Sequence, residues 1–133
     1  MAECIFCKIV KGTVPCAKVY ENEKTLAFLD ISPVNKGHTL IIPKRHFADF
    51  FDITTTEHEA VHDLIRIRRK QLLEVDSTIE GFNVGVNSGR AAGQTIFHCH
   101  VHLIPRRKGD LKEPTGGVRG VIPDKMQYIE DSA

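Results

Sequence analysis

Three histidines, His98, His100 and His102, occupy alternate positions in the stretch GQTIFHCHVHLIPR that runs from Gly93 to Arg106. Their alternation with Cys99, Val101 and Leu103 has the period of a β-strand and not of a helix, so the three imidazoles are expected on one face with apolar side chains behind them. On an extended chain successive same-face positions lie roughly 6.6–6.8 Å apart, close enough for neighbours to share one substrate group but too far for one atom to reach all three without a bend. A single histidine is ordinarily a structural or solvated residue. Three in alternation beside a polar, glycine-rich loop call for chemistry, and two kinds are open to them. Neutral imidazoles bind catalytic metals; alternatively, one imidazole attacks an electrophile while its neighbours orient it and handle protons. Spacing does not choose between the two.

The loop just upstream, Asn87-Ser88-Gly89-Arg90-Ala91-Ala92-Gly93-Gln94-Thr95, is built from small residues. Its glycines allow backbone N–H groups to approach an anion closely, and Asn87, Ser88, Gln94 and Thr95 add neutral donors. Such a set suits phosphate oxygens without a Walker-type lysine, and no GxxxxGK[ST] pattern occurs in the chain.

A second cluster of chemically capable residues opens the chain, where Cys4 and Cys7 form a CxxC. A thioredoxin-type pair would follow a strand, and there is no room for one before residue 4. Half a zinc site fits better, because His46 and His98 are available to complete a tetrahedral set; buried thiols acting as small hydrophobes are the other reading. Cys16 and Cys99 read as packing residues.

Positioning these groups requires a scaffold that the pattern outlines. Residues 5–11 are expected to form a short helix ended by Gly12, and residues 18–21 and 25–29 two strands around the turn 22–24. The run 39–42 is apolar enough for a strand buried on both faces. Between Thr54 and Glu80 lies the long helix: Thr56 to Glu59 has capping-box spacing, and Val61, Leu64, Ile65, Leu72, Val75 and Ile79 recur at threes and fours until Gly81. Arg68 falls on that apolar stripe, to pair with an acid or to lie at a subunit contact. Lys44, Arg45, Arg66, Arg69 and Lys70 read as solvated charge. With strands at 82–86 and 99–104, the expectation is an α+β fold: a five-stranded antiparallel sheet with one long helix and a short N-terminal helix. The length of 133 residues suits a single domain over 1–133 with a tail from about residue 111. The formal net charge of +1 argues against a general nucleic-acid binder. With no signal-like or membrane-length apolar run, a soluble cytoplasmic protein with no membrane partner is expected.

His98-Cys99-His100-Val101-His102-Leu103-Ile104 resembles the motif of the histidine-triad (HIT) family of nucleotide hydrolases and transferases. Further blocks match at Leu29 to Pro33, Lys36 to His46, Asn87 and Gly93 to Thr95, so the resemblance covers residues 4–110. It implies attack by His100 on the α-phosphorus of a purine nucleotidyl substrate, either a dinucleoside polyphosphate or a nucleoside phosphoramidate, through a covalent nucleotidyl-histidine that water hydrolyses. His102 and His98 would complete the catalytic set, with Asn87, Gln94 and Thr95 facing the phosphoryl oxygens. His102 or His38 would supply a proton to the leaving group. Asp30 would accept the ribose hydroxyls, although a turn-initiating Asp before Ser32-Pro33 is its ordinary reading; Phe28 and Ile31 would flank the base, and His38 would lie near the α-phosphate. The family also implies a homodimer and, in a subset with the CxxC, a structural Zn²⁺ held by Cys4, Cys7, His46 and His98, with no catalytic cofactor. Arg106 to Asp110 and the absence of tryptophan resemble the fragile-histidine-triad and bacterial dinucleotide-hydrolase branches. Two competing readings of the same residues are a nucleotide-binding regulatory or scaffold protein with little turnover, and a metallohydrolase with His98, His100 and His102 around one metal.

Overall fold

The computed structural model describes residues 3–128. Its elements run α1 (Ile5–Lys11), β1 (Lys18–Glu21), β2 (Thr25–Leu29), β3 (Thr39–Pro43), α2 (Thr55–Val75), β4 (Ile79–Val86) and β5 (Val101–Arg107). The strands form one antiparallel sheet in the order β1-β2-β3-β5-β4, which is the expected α+β architecture.

The period of two in β2 and β3 divides the core into two layers. Leu26, Phe28, Leu40 and Ile42 face α1 and enclose its Phe6. Ala27, Ile41 and Val101 face the opposite way and pack on Val61 and Leu64 of α2. Covered on both sides, β3 is buried along its whole length, which explains its unbroken apolar run. Because Leu40 is the register partner of His102, His102 lies on the α1 side of the sheet. No helix among the described residues is long and apolar enough to cross a membrane.

Three boundaries differ from the sequence expectation. The capping box of α2 is closed by Thr54 and Glu57, not by Thr56 and Glu59: Thr54 Oγ1 accepts from the Glu57 N–H while Glu57 Oε1 accepts from the Thr54 N–H. Glu57 is held in that role by Arg45, whose Nε and NH2 each donate to its carboxylate at 2.9 Å. The helix then ends at Val75, because Asp76 caps it and turns its carboxylate to the Thr78 N–H. Ile79 therefore belongs to β4, and Gly81 sits at a register shift in that strand instead of stopping a helix.

The third difference bears on the site. The strand carrying the histidines begins at Val101 and not at Cys99, since the Cys99 N–H is claimed by the Phe47 carbonyl at 2.7 Å. It also runs on through Pro105 to Arg107. Pairing with β3 stops at Leu103, so Pro105, which has no N–H, faces no ladder on that side and pairs only with Phe82 of β4.

Candidate active site and metal centre

Irregular backbone at residues 98–100 lets the histidines depart from the spacing of an extended strand. The His100 and His102 ring centroids are 5.2 Å apart. Phe6 of α1 packs edge-on against both His100 and His98, so the short helix props the imidazoles from beneath.

Hydrogen bonds assign each ring its tautomer. His100 Nδ1 lies 2.8 Å from the His98 carbonyl, an acceptor only, so Nδ1 carries the proton and Nε2 keeps its lone pair. No described residue bonds that Nε2. His38 Nδ1 accepts from the Val34 N–H at 3.0 Å, which places the His38 proton on Nε2. That Nε2–H points at His102 Nδ1, 2.9 Å away. His102 therefore carries its own proton on Nε2, a buried atom with no partner among the described residues. The relay from Val34 through His38 ends in a buried N–H donor on His102, and two residues before it His100 presents a lone pair.

Burial keeps this donor neutral. Desolvation, reinforced by His100 and His38, lowers the His102 pKa to about 4. His38 is also lowered by burial, against the opposing pull of Asp30. The Asp30 Oδ2 lies 3.6 Å from His38 Nε2, while its Oδ1 accepts the Ser32 N–H at 2.8 Å. Asp30 is thus both the turn-forming residue of its ordinary reading and a neighbour of the relay.

The remaining expected site residues divide into free and committed groups. The Asn87 amide and the Thr95 hydroxyl make no side-chain hydrogen bond to a described residue, and a Cβ built on Gly93 would lie 4.0 Å from Asn87 Nδ2. Gln94 is a correction. Its Nε2 donates to the Ala48 and Ile96 carbonyls and its Oε1 accepts the Gly89 N–H, so the buried amide is consumed in shaping the loop and has nothing left for phosphate. Phe28 is a second correction: at 4% exposure it is enclosed in the core against Phe6, whereas Ile31, at 97%, stands free. Ser88 is drawn away to Asp49 at 2.6 Å. Arg68 meets no acid among the described residues; it donates to Thr39 Oγ1 and Gln71 Oε1 and ties α2 to β3. Arg45 and Lys44 are likewise not idle surface charge, being paired with Glu57 and Glu21.

His98 faces elsewhere. Its Nε2 donates to the Pro43 carbonyl at 2.7 Å, leaving the Nδ1 lone pair toward Cys4 Sγ at 3.5 Å, Cys7 Sγ at 3.7 Å and His46 Nδ1 at 3.2 Å. Cys7 Sγ is 3.3 Å from His46 Nδ1. The donor atoms of Cys4, Cys7, His46 and His98 all lie within 4.8 Å of one another. Ligands of a tetrahedral zinc, at about 2.0–2.3 Å from the metal, stand roughly 3.3–3.8 Å apart, so this set fits the ion, and the Pro43 carbonyl supplies the orienting outer bond that a metal-bound imidazole needs. Asp30, His38 and His102 also converge, but the Val34 N–H holds the His38 proton on the nitrogen that would have to ligate. That second set fits an internal hydrogen bond and not a metal.

The five-stranded antiparallel sheet and the histidine cluster at the head of β5 together define the class of protein. The chain belongs to the HIT family, whose domain profile matches residues 11–109. It is 49% identical over 109 residues to the hit protein of Bacillus subtilis, covering 80% of this chain and 74% of that one. It is 44% identical over 103 residues to the adenosine 5'-monophosphoramidase of Schizosaccharomyces pombe, covering 77% and 74%. Among solved structures, a zinc-bound histidine triad family protein from Mycobacterium smegmatis superposes with a TM-score of 0.77 at 38% identity, covering 84% of this chain and 81% of that one.

Proposed function

We propose that this protein is a nucleotide hydrolase that cleaves at the α-phosphate of a purine nucleotidyl substrate through a covalent intermediate on His100. The observation that carries the reading is the tautomer pattern, a lone pair on His100 Nε2 beside an N–H on His102 Nε2. In the first half-reaction His100 Nε2 bonds to phosphorus as the bond to the leaving group breaks. A phosphate departs as the anion, and an amine departs carrying a proton from solvent. The His100 ring becomes cationic, which strengthens its Nδ1–H bond to the His98 carbonyl in the transition state and not before. His102 Nε2–H, with Asn87 and Thr95, opposes the charge growing on the phosphoryl oxygens. Water then forms the new P–O bond, the P–N bond breaks, and the water's proton passes to solvent. Asp30 is suited to the ribose hydroxyls and Ile31 to the base. The adenosine monophosphoramidase among the relatives supports a phosphoramidate substrate, while Arg106 to Asp110 retains the likeness to the dinucleotide-hydrolase branch.

Two further assignments complete the reading. Zn²⁺ at Cys4, Cys7, His46 and His98 would be structural, pinning α1 to the entry of the histidine segment, with all four positions taken by protein. A homodimer is favoured by β4, an eight-residue edge strand beside an apolar groove lined by Phe50, Val61, Ile65, Val86 and Val101; light scattering at micromolar concentration should give twice the chain mass, and a monomer mass would refute it. The three histidines do not suit one shared metal, because His98 Nδ1 faces the cysteines while His102 Nδ1 faces His38.

The test is rapid-quench labelling with nucleotidyl substrates, an adenosine phosphoramidate and a dinucleoside polyphosphate. Wild-type protein should trap nucleotide on His100, and His100→Asn should bind nucleotide without being labelled. Labelling that persists in His100→Asn protein would remove the mechanism.

A further inference from the structure

The donor tautomer of His102 depends on a loop whose anchoring lies outside the site. Asn35, Lys36, Gly37 and His38 form a turn closed by the His38 N–H on the Asn35 carbonyl at 3.0 Å. Gly37 supplies the positive φ of +93° that its third position requires. A Cβ at Gly37 would lie 3.0 Å from Leu72 and 3.1 Å from Pro105, so the turn is pressed against α2 and β5.

One side chain fastens this turn laterally. Asn35 Nδ2 donates one hydrogen to the Pro105 carbonyl at 3.0 Å and the other to Asp110 Oδ2 at 2.8 Å. Its Oδ1 accepts the Lys36 N–H at 3.1 Å. Asp110 is in turn gripped by Arg106 through Nε and NH2, both at 2.9 Å, and by the Arg107 N–H, and Arg106 reaches across to Asn83 on β4 at 2.7 Å. Only a primary amide at position 35 offers two hydrogens to two acceptors and an oxygen to the turn. The residue next to it, Val34, carries the N–H that sets the His38 tautomer.

Resting on the hydrolase reading above, we infer that Asn35 is a positioning residue: by holding the 34–38 turn on β5 and Asp110, it keeps the proton of His38 on Nε2 and therefore the proton of His102 on the nitrogen that faces substrate. If the turn relaxes and Val34 N–H leaves His38 Nδ1, that ring is free to shift its proton there. His102 Nδ1 then loses its donor and takes up its own proton, leaving a lone pair at Nε2. The number of hydrogen bonds hardly changes, but the group facing an anionic phosphoryl oxygen turns from donor to acceptor.

Long-range ¹H–¹⁵N spectra of uniformly labelled protein read the tautomers directly and without turnover. Wild type should show His38 and His102 as single Nε2–H forms. In Asn35→Ala both should become mixtures, with kcat reduced about ten- to a hundredfold, KM little changed and the melting temperature nearly kept. Asn35→Asp keeps the shape but sets a second carboxylate against Asp110, and should show the same tautomer shift. A folded Asn35→Ala or Asn35→Asp protein in which His102 stays wholly Nε2–H would overturn the inference, whatever its activity. If no nucleotidyl enzyme forms even in wild type, the hydrolase reading fails separately while the spectra still decide the role of Asn35.

Discussion

At the scale of single residues, hydrogen bonds fix where the imidazole protons sit. His102 is the most telling case, since its folded pKa of about 4 lies well below the ordinary histidine value of about 6.5. A buried histidine kept neutral means that below pH 6.5 the unfolded chain takes up a proton the folded one refuses. Stability therefore falls as pH drops from about 6.5 to about 4 and this contribution levels off below. In wild-type protein the His102 ring resonances should keep their neutral shifts down to pH 5 and move only near pH 4. His102→Asn should flatten the dependence of the urea midpoint on pH across that range while lowering kcat by about a hundredfold or more, as loss of an oriented oxyanion donor does. Titration of His102 near pH 6.5 in the free protein would show that the ring is solvated and the relay is not formed.

At the scale of elements, the start of α2 is tied to the sheet through one carboxylate. Glu57 closes the capping box and accepts two hydrogen bonds from Arg45, which follows β3 just before His46 and also donates to the Asp52 carbonyl. Arg45 lies over the Phe47 ring at 4.2 Å, so this one arginine orders the segment between sheet and helix. Its guanidinium lowers the Glu57 pKa to about 2. A carboxylate depressed in the fold adds stability above its unfolded value near 4.3 and loses it as pH falls from there toward about 2. Glu57→Gln should cost about 2 kcal/mol at pH 7, the scale of charge-assisted hydrogen bonds, with the gap from wild type closing as pH falls below 4. Chemical denaturation at pH 7 and pH 3 measures both values, and an unchanged gap would mean that the pair contributes shape and not charge.

For the molecule as a whole, the proposed zinc set joins the first helix to the histidine segment across more than ninety residues of chain, as the Cys4–His98 contact shows. Such a set barely exists in an unfolded chain, so the free energy of binding is free energy of folding. At free zinc about a thousandfold above Kd that amounts to about 4 kcal/mol, which shifts the melting temperature of a domain this size by about 15 °C. Cys7→Ser, or chelation of the wild-type protein, should produce a loss of that order. Turnover measured well below the lowered melting temperature should stay within a few-fold of normal, because His100 Nε2 and His102 Nε2 are not in the metal set. Immediate loss of activity on chelation, restored by metal, would assign the ion a catalytic part instead.

What the sequence determined by itself was local. Alternation, unbroken apolar runs and turn residues exposed the five strands, a period near 3.6 the long helix, and spacing alone brought out the histidine triplet, the CxxC and the loop before them, because each rests on neighbours a few residues apart. The tertiary structure decided which of those groups can still act. Gln94 looked like a phosphate donor until three backbone groups, one of them at Ala48, were seen to consume its amide. Phe28 looked like a base contact until α1 laid Phe6 against it. Arg45 looked like solvated charge because its partner is Glu57 of another element. The meeting of His38 with His102, 64 residues apart, and the anchoring of Asn35 on Asp110, 75 apart, have no local signature. A hydrogen bond between distant residues is set by how strands pair and helices dock, and periodicity carries no record of that; the proton positions on which the proposed chemistry depends are therefore a property of the fold.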